Sequence, residues 1–418
     1  MINMHSGKIS CMLRNSISNS AIELFSTFVS SSFRKECASI KFKHPSNLIT
    51  RELCTQWTTA RTLTTLSQAA AGTAVSKDEK REFMAVFPDI VRDLTDAGRH
   101  LDIPDATKWY AKALQYNVPG GKKNRGMALV LGYKFLANSK DLSPENMRLA
   151  RILGWCVELL QGFYLVTDDI IDQATTRRGR PCWYRNPGVG LTAINDALLI
   201  ESGIYQLLRR HFRTKPYYVD IIELFHDVEL KTNFGQALDM LSEQTKDLKL
   251  ENFTMDRYNS IVKYKTAYYT FQLPIALAMH MAGISDEEKH RQAKTILLEM
   301  GHFFQVQDDY MDCFGDPEIT GKIGTDIQDG KCSWLVVVAL QRATPQQKKI
   351  IKECYGCSDL EKVQRIKHLY EELGLPATFA TYEEESYNLI QTHIQQISAG
   401  LSHDLFFTLL EKIYRREN

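Results

Sequence analysis

Two stretches of this chain place three carboxylates at one spacing. Asp168, Asp169 and Asp172 close an apolar run, and Asp308, Asp309 and Asp312 close another in the same DDxxD pattern. Acids four residues apart share a helix face. Carboxylates bunched this way repel unless a cation sits among them. A hard divalent ion such as magnesium takes carboxylate oxygens together with phosphate oxygens. One such motif reads equally well as a solvated helix end. Two copies, each ending a long apolar helix, predict six carboxylates around a common cavity, where several metal ions would clamp a polyphosphate.

Basic residues sit beside both motifs. Arg177 and Arg178 follow the first; Lys322 and Lys331 follow the second in TGKIGTDIQDGK, which also supplies Asp326. GGKKNRG offers Gly121, Lys122 and Arg125 on a flexible turn, and YKTAYYTFQ carries Lys265 and Thr266 in mid-helix. Each alone reads as a surface charge. Lys and Arg bind phosphate directly, whereas acids bind it through metal. The combination predicts two diphosphate sites, one of each kind. Tyr164 lies four residues before Asp168, so on one helix face it falls one turn, about 5.4 Å, below it. With Phe163 beside it, it is either plain core or the floor of a hydrocarbon pocket. His302 reads as a packed helix residue. The CxxC at Cys354 and Cys357 has no second pair and no His at zinc spacing, so it reads as ordinary reduced cysteine.

The elements that must position these groups are helices. Apolar residues recur at helical spacing over 77–94, 106–116, 125–137, 144–172, 190–213, 217–242, 254–282, 286–314 and 328–341, with shorter helices over 346–354, 360–373, 377–398 and 403–415. No window alternates as a strand. Segment 144–172 is apolar nearly all round, as a helix buried among helices is. The expected architecture is a large all-α bundle formed by residues 77–418.

A composition of 44% hydrophobic and 24% charged residues is that of a globular protein. The net charge of +1 gives no reason to expect a nucleic-acid partner. No apolar run reaches the roughly 18 residues of a membrane span. Residues 1–76 differ from the rest. They are rich in Ser and Thr, carry Arg14, Arg34, Lys35, Arg51 and Arg61, and hold only Glu23, Glu36 and Glu52 as acids. That composition suits a mitochondrial transit peptide, with a leader bearing no address, and a cytoplasmic protein, as the alternative.

Taken together, the paired DDxxD motifs, GGKKNRG and GKIGTDIQDGKCSW resemble the short-chain trans-isoprenyl diphosphate synthases, in particular their eukaryotic branch, over about residues 83–416. The resemblance implies an all-α isoprenoid-synthase bundle with a central cavity, a homodimer and three magnesium ions per site. It implies head-to-tail condensation of isopentenyl diphosphate with dimethylallyl and then geranyl diphosphate, stopping at C15. Asp168 and Asp172 would then hold two ions, with Asp169 in support. Asp308 would take the third, with Asp309 and Asp312 nearby and Asp326 acting through water. Arg177, Lys265 and Lys322 would touch the allylic diphosphate, with Lys331 close by. Gly121, Lys122, Arg125, Gln161 and Arg178 would form the isopentenyl diphosphate site. Thr266 and Gln305 would face the developing carbocation. Phe163 and Tyr164 would floor the pocket. Arg415 and Arg416 match a tail that closes over the second site, although here it ends in Glu417-Asn418. Gly330 stands where Asn is usual. A C10 synthase and a terpene synthase on the same fold remain alternatives. Intact Lys122, Arg125 and Arg178 argue against the terpene synthase, and intact acid motifs argue against a non-catalytic subunit.

Overall fold

The computed structural model describes residues 77–99, 101–243, 249–316, 318, 324–398 and 400–414. The expected leader lies outside them, as do Lys322, Arg415 and Arg416.

The helices are α1 (Lys77–Ala85), α2 (Phe87–Arg99), α3 (Pro104–Asn117), α4 (Asn124–Leu136), α5 (Pro144–Ile171), α6 (Ala193–Phe212), α7 (Tyr218–Glu243) and α8 (Met255–Ile261). A π-helical segment (Val262–Gln272) continues α8 and runs into α9 (Leu273–Met281). Then come α10 (Glu287–Phe314), α11 (Asp326–Asp329), α12 (Trp334–Arg342), α13 (Pro345–Cys354), α14 (Leu360–Glu372), α15 (Leu375–Gln395) and α16 (His403–Ile413). The expected all-α bundle is what forms.

Three expectations need correction. The helix expected over 77–94 is two, because Pro88 sits in the first turn of α2 and a proline cannot continue a helix through from α1. The helix expected over 328–341 is also two, α11 and α12, divided where Gly330 takes a left-handed φ of 69°. No strand was expected, yet β1 (Thr176–Arg177) and β2 (Arg180–Pro181) form a short antiparallel hairpin. Its turn residues, Arg178 and Gly179, have φ of 56° and 71°, the left-handed pair of a type I′ turn.

Helix α5 is the axis of the largest core cluster. It starts at a cap, where Ser143 Oγ accepts from the Asn146 N–H and Pro144 fills the first position. Trp155, fully buried on it, stacks on Phe83 at 4.7 Å, a contact worth about 1 kcal/mol beyond area burial. Among the described residues α5 alone is long and apolar enough to cross a membrane, a length the sequence reading missed because charges interrupt it. Of its most apolar window, 78% is buried in the protein, so its apolar surface serves the core. Two further clusters hold α8 with α12–α14, and α9 and α10 with α15 and α16.

Candidate active site

The first DDxxD motif ends α5, and helical geometry sorts its acids. Asp168 and Asp172 stay partly open, while Asp169, a third of a turn round, is buried. Arg177 from β1 seals Asp169: its Nε and Nη2 lie 2.8 and 2.6 Å from Oδ1, and Nη2 is 3.7 Å from Asp168 Oδ2. Burial alone would weaken the Arg177 charge, but Asp169 and Asp168 hold it above its usual range. Burial and then the neighbouring Asp168 push the Asp172 carboxyl up, against Lys331 and Lys265.

The second motif, on α10, repeats the pattern. Asp309 is the buried middle acid; it accepts from Gln305 Nε2 at 2.9 Å and from the Trp334 N–H at 2.8 Å. Burial pushes its carboxyl up to about 7 despite these donors. Asp308 and Asp312 are half-buried, and Asp312 Oδ1 accepts the Asp326 N–H at 3.0 Å. In both motifs the middle acid therefore fixes the helix end, while the flanking acids are the more open. All donors are hard oxygens, and the crowding of Asp168 on Asp172 is of the kind a cation relieves, so the residues fit a hard divalent ion. Among the described residues no three such side chains already converge as a metal cage.

The π-helix links the motifs. Lys265 Nζ lies 3.8 Å from Asp168 Oδ1, and Thr266 Oγ1 donates to Gln305 Oε1 at 2.9 Å, whose amide reaches Asp309. π-helical turns are rare and gather at functional sites. Lys331, from the loop after α11, is 3.2 Å from Asp172 Oδ1. A residue that sequence reasoning missed ties the two lysines together. Asp239 on α7, 5% exposed, pairs with Lys265 and lies 3.6 Å from Lys331 Nζ. Burial would raise Asp239, yet the two lysines hold it below the carboxylate range. Burial would lower Lys265, yet Asp239 and Asp168 raise it. An acid inside the apolar run of α7 was the available signal.

Two cavities meet here. A cavity of about 310 Å³ is lined by Gln161, Phe163, Tyr164, Asp168, Ala237, Met240, Lys265, Thr266 and Tyr269, among others. Gln305, expected to face this space, does not line it and instead touches Thr266, which does. The rings of Phe163 and Tyr164 lie 5.0 Å apart, and Tyr164 is 5.5 Å from Tyr269. A larger cavity of about 700 Å³ is lined by Gly121, Lys122, Arg125, Gln161, Arg178, Phe271, Phe304 and Lys412, among others. Gln161 borders both, and its buried Oε1 has no partner. Arg125 sits on α4, not on the expected flexible turn; it lies over Tyr269 at 4.6 Å and donates to Thr270 Oγ1 at 2.9 Å. Arg178 leaves the hairpin on the opposite side from Arg177 and packs on Gly121, where a Cβ would fall 2.8 Å from its Nε. His302 is packed as expected, its ring nitrogens facing Tyr382 and Asn259. Cys354 and Cys357 are free thiols.

A helical bundle with paired acid motifs, lysines and a largely apolar cavity beside them defines a class that ionises and joins prenyl diphosphates. The polyprenyl synthetase family model matches residues 107–373. The farnesyl pyrophosphate synthase of Nezara viridula is 57% identical over 364 residues, covering 87% of this chain and 89% of its own. The farnesyl pyrophosphate synthase of Homo sapiens is 54% identical over 343 residues, 82% of each chain. Among solved structures, T. brucei farnesyl diphosphate synthase complexed with risedronate superposes with a TM-score of 0.76 at 34% identity, covering 81% of this chain and 99% of that one. The chain belongs to the polyprenyl synthetase family.

Proposed function

We infer that the chain condenses isopentenyl diphosphate with dimethylallyl diphosphate, and then with geranyl diphosphate, head to tail, to give (2E,6E)-farnesyl diphosphate and pyrophosphate. The observation that carries this is the pairing of two cavities at Gln161: one mostly apolar and bordered by Asp168 and Lys265, the other rimmed by Lys and Arg. Members of the family use a divalent metal. Three magnesium ions fit the donor set, held by Asp168 and Asp172 on one side and by Asp308 and Asp312 on the other, with Asp326 near and Asp169 and Asp309 as supports. Bound there, the metal supplies Lewis-acid neutralisation of the leaving diphosphate.

The chain's own residues do the rest. Lys265, Lys331 and Arg177 carry positive charge where the allylic diphosphate binds; Lys322 belongs with them by resemblance. The Thr266 hydroxyl commits its proton to Gln305, so its lone pairs remain for the carbocation. The apolar walls exclude the water that would quench that cation. Lys122, Arg125, Arg178, Gln161 and the Gly121 backbone bind isopentenyl diphosphate, and Arg416 would close over it. Among the described residues no His lines either cavity, which leaves the departing pyrophosphate as the base for the proton lost after coupling.

The deciding assay incubates the purified chain with isopentenyl diphosphate, magnesium and either allylic starter. C15 product from both supports the reading. Accumulating geranyl diphosphate would mark a C10 synthase, and hydrocarbon release without isopentenyl diphosphate would mark a terpene synthase.

We propose a homodimer, supported by apolar residues left exposed at helical spacing on α6 (Ile194, Leu198) and on α7 (Leu230, Phe234, Leu241). A second copy burying this stripe gives a symmetric interface. Sedimentation at micromolar concentration should give a dimer, and Phe234→Asp should weaken it; a monomeric wild type would overturn this. Residues 1–76 are proposed as a mitochondrial transit peptide. Fusion of this segment to a fluorescent protein should direct it to mitochondria, and cytoplasmic signal would favour the alternative.

A further inference from the structure

The α7 face that lines the hydrocarbon cavity presents Thr232, Asn233, Gln236, Ala237 and Met240. Helical spacing of three and four continues that face, one turn away from the acids, at Glu229. Glu229 does not line the cavity. It lies behind the aromatic floor, where the Tyr164 hydroxyl donates to its main-chain carbonyl at 3.3 Å. Its carboxyl is buried with the side chain 8% exposed. Oε2 accepts the Tyr205 hydroxyl from α6 at 2.5 Å, and Oε1 has no hydrogen-bond partner. Among the described residues its one ion-pair contact is the exposed ring of His226, 3.7 Å away on α7. Glu201, on α6, adds a second carboxyl to the same neighbourhood. Burial, only partly opposed by Tyr205, pushes Glu229 up to about 7.

A buried carboxyl with an orphaned oxygen is unfavourable for stability, and nothing in the reaction uses this one. Its position accounts for it. A hydrocarbon that displaced Tyr164 and grew further would enter not apolar space but a pocket of carboxyl and phenol oxygens. Packing CH₂ groups against them would bar any water or hydroxyl from Oε1.

We propose that Glu229 is a specificity-determining residue, a polar barrier in series with the aromatic floor, which limits how far the product grows past C15 when the floor yields. The proposal rests on reading Tyr164 as that floor. Sterics and polarity then act one behind the other: removing the ring alone opens space that the chain enters reluctantly, and removing both opens space it enters freely.

The test measures product length with the full chain, magnesium, labelled geranyl diphosphate and excess isopentenyl diphosphate, separating the dephosphorylated products by length. Tyr164→Ala should raise the C20 to C15 ratio. Tyr164→Ala with Glu229→Leu should raise it at least tenfold further and yield chains beyond C20. Tyr164→Ala with Glu229→Gln, nearly isosteric and neutral but still polar, should fall between, at least threefold above the single variant. It carries the test if the leucine variant does not fold. Double variants that match Tyr164→Ala overturn the barrier and leave the floor standing. If Tyr164→Ala and both double variants all still stop at C15, the floor is overturned, and the barrier with it.

Discussion

Gly235 on α7 and Lys265 on the π-helix touch backbone to backbone: a Cβ on Gly235 would fall 2.1 Å from the Lys265 nitrogen. One turn along the same helix, Asp239 takes the Lys265 ammonium. A single face of α7 thus fixes both ends of this lysine, its main chain through the missing Cβ and its charge through a carboxylate. Gly235→Ala has to push the π-helix outward, and Thr266 and Tyr269 move with it. We expect kcat/KM to fall about 100-fold, a loss of roughly 3 kcal/mol in transition-state stabilisation, with KM for isopentenyl diphosphate changed far less. Asp239→Asn removes the buried carboxylate that Lys265 and Lys331 share, leaving them Asp168 and Asp172, and should lower unfolding stability by about 3 kcal/mol in urea titrations. Unchanged kinetics in Gly235→Ala would show that the close approach is not needed.

Lys122 and Lys123 are neighbours with opposite duties. Lys122 is exposed at the larger cavity, whereas Lys123, at a left-handed φ of 63°, turns inward. Its Nζ lies 3.0 Å from Glu158 Oε2 and donates to the Val118 carbonyl at 2.6 Å, with both charged side chains almost fully buried. Burial pulls the Lys123 ammonium below the usual lysine range although Glu158 opposes it. Lys123→Met should cost about 3–5 kcal/mol of stability, because Glu158 keeps a buried charge without its partner. Lys123→Met with Glu158→Gln should recover part of that loss. Calorimetric melting of the three proteins checks both statements.

These residues mark the limit of what spacing alone conveys. Acids four apart at the end of an apolar run are legible, because the helix period fixes their common face whatever surrounds them. The same period placed Tyr164 beneath Asp168, and both line one cavity. Lys122 and Lys123 cannot be told apart by type; a backbone dihedral separates them. The π-helix leaves no period of its own in eleven residues. Gly235 and Asp239 were overlooked inside an ordinary helix, although a mid-helix glycine and an acid among apolar residues are both signals of a close neighbour. The type I′ turn at Arg178-Gly179 was hidden because arginine is seldom found at positive φ.

Glu229 should give metal-free protein a pH-dependent stability. Its folded pKa of about 7 lies above the ordinary glutamate value of 4.5, so the folded state binds more protons between those limits. Stability therefore falls as pH rises from about 4.5 to 7, and the contribution is fully lost above that. The shift corresponds to at most about 3 kcal/mol. Glu229→Gln should remove this part of the slope. Urea midpoints at pH 5 and pH 8 should differ more in wild type than in the variant, and parallel profiles would sink the assignment.

Arg177 and Arg178 follow one another on a hairpin, yet they reach different groups: Arg177 grips the first acid motif and lines neither cavity, whereas Arg178 lines the larger one. Arg177 lies against Asp168 and Asp169; Arg178 lies over Gly121 among Lys122 and Arg125. Each charge-assisted contact to a phosphate is worth about 1.5–3 kcal/mol. Arg177→Ala should raise KM for geranyl diphosphate about 10- to 100-fold and leave that for isopentenyl diphosphate nearly unchanged; Arg178→Ala should do the reverse. Lysine at position 178 should restore most of the isopentenyl diphosphate affinity, since a point charge suffices in an open rim. Lysine at position 177 should not rescue, because a single ammonium cannot reproduce the two-nitrogen grip on Asp169. Steady-state kinetics with each substrate varied separately would reveal it. Equal rises in both KM values for either alanine variant would mean that the hairpin, rather than the individual guanidinium, governs both sites.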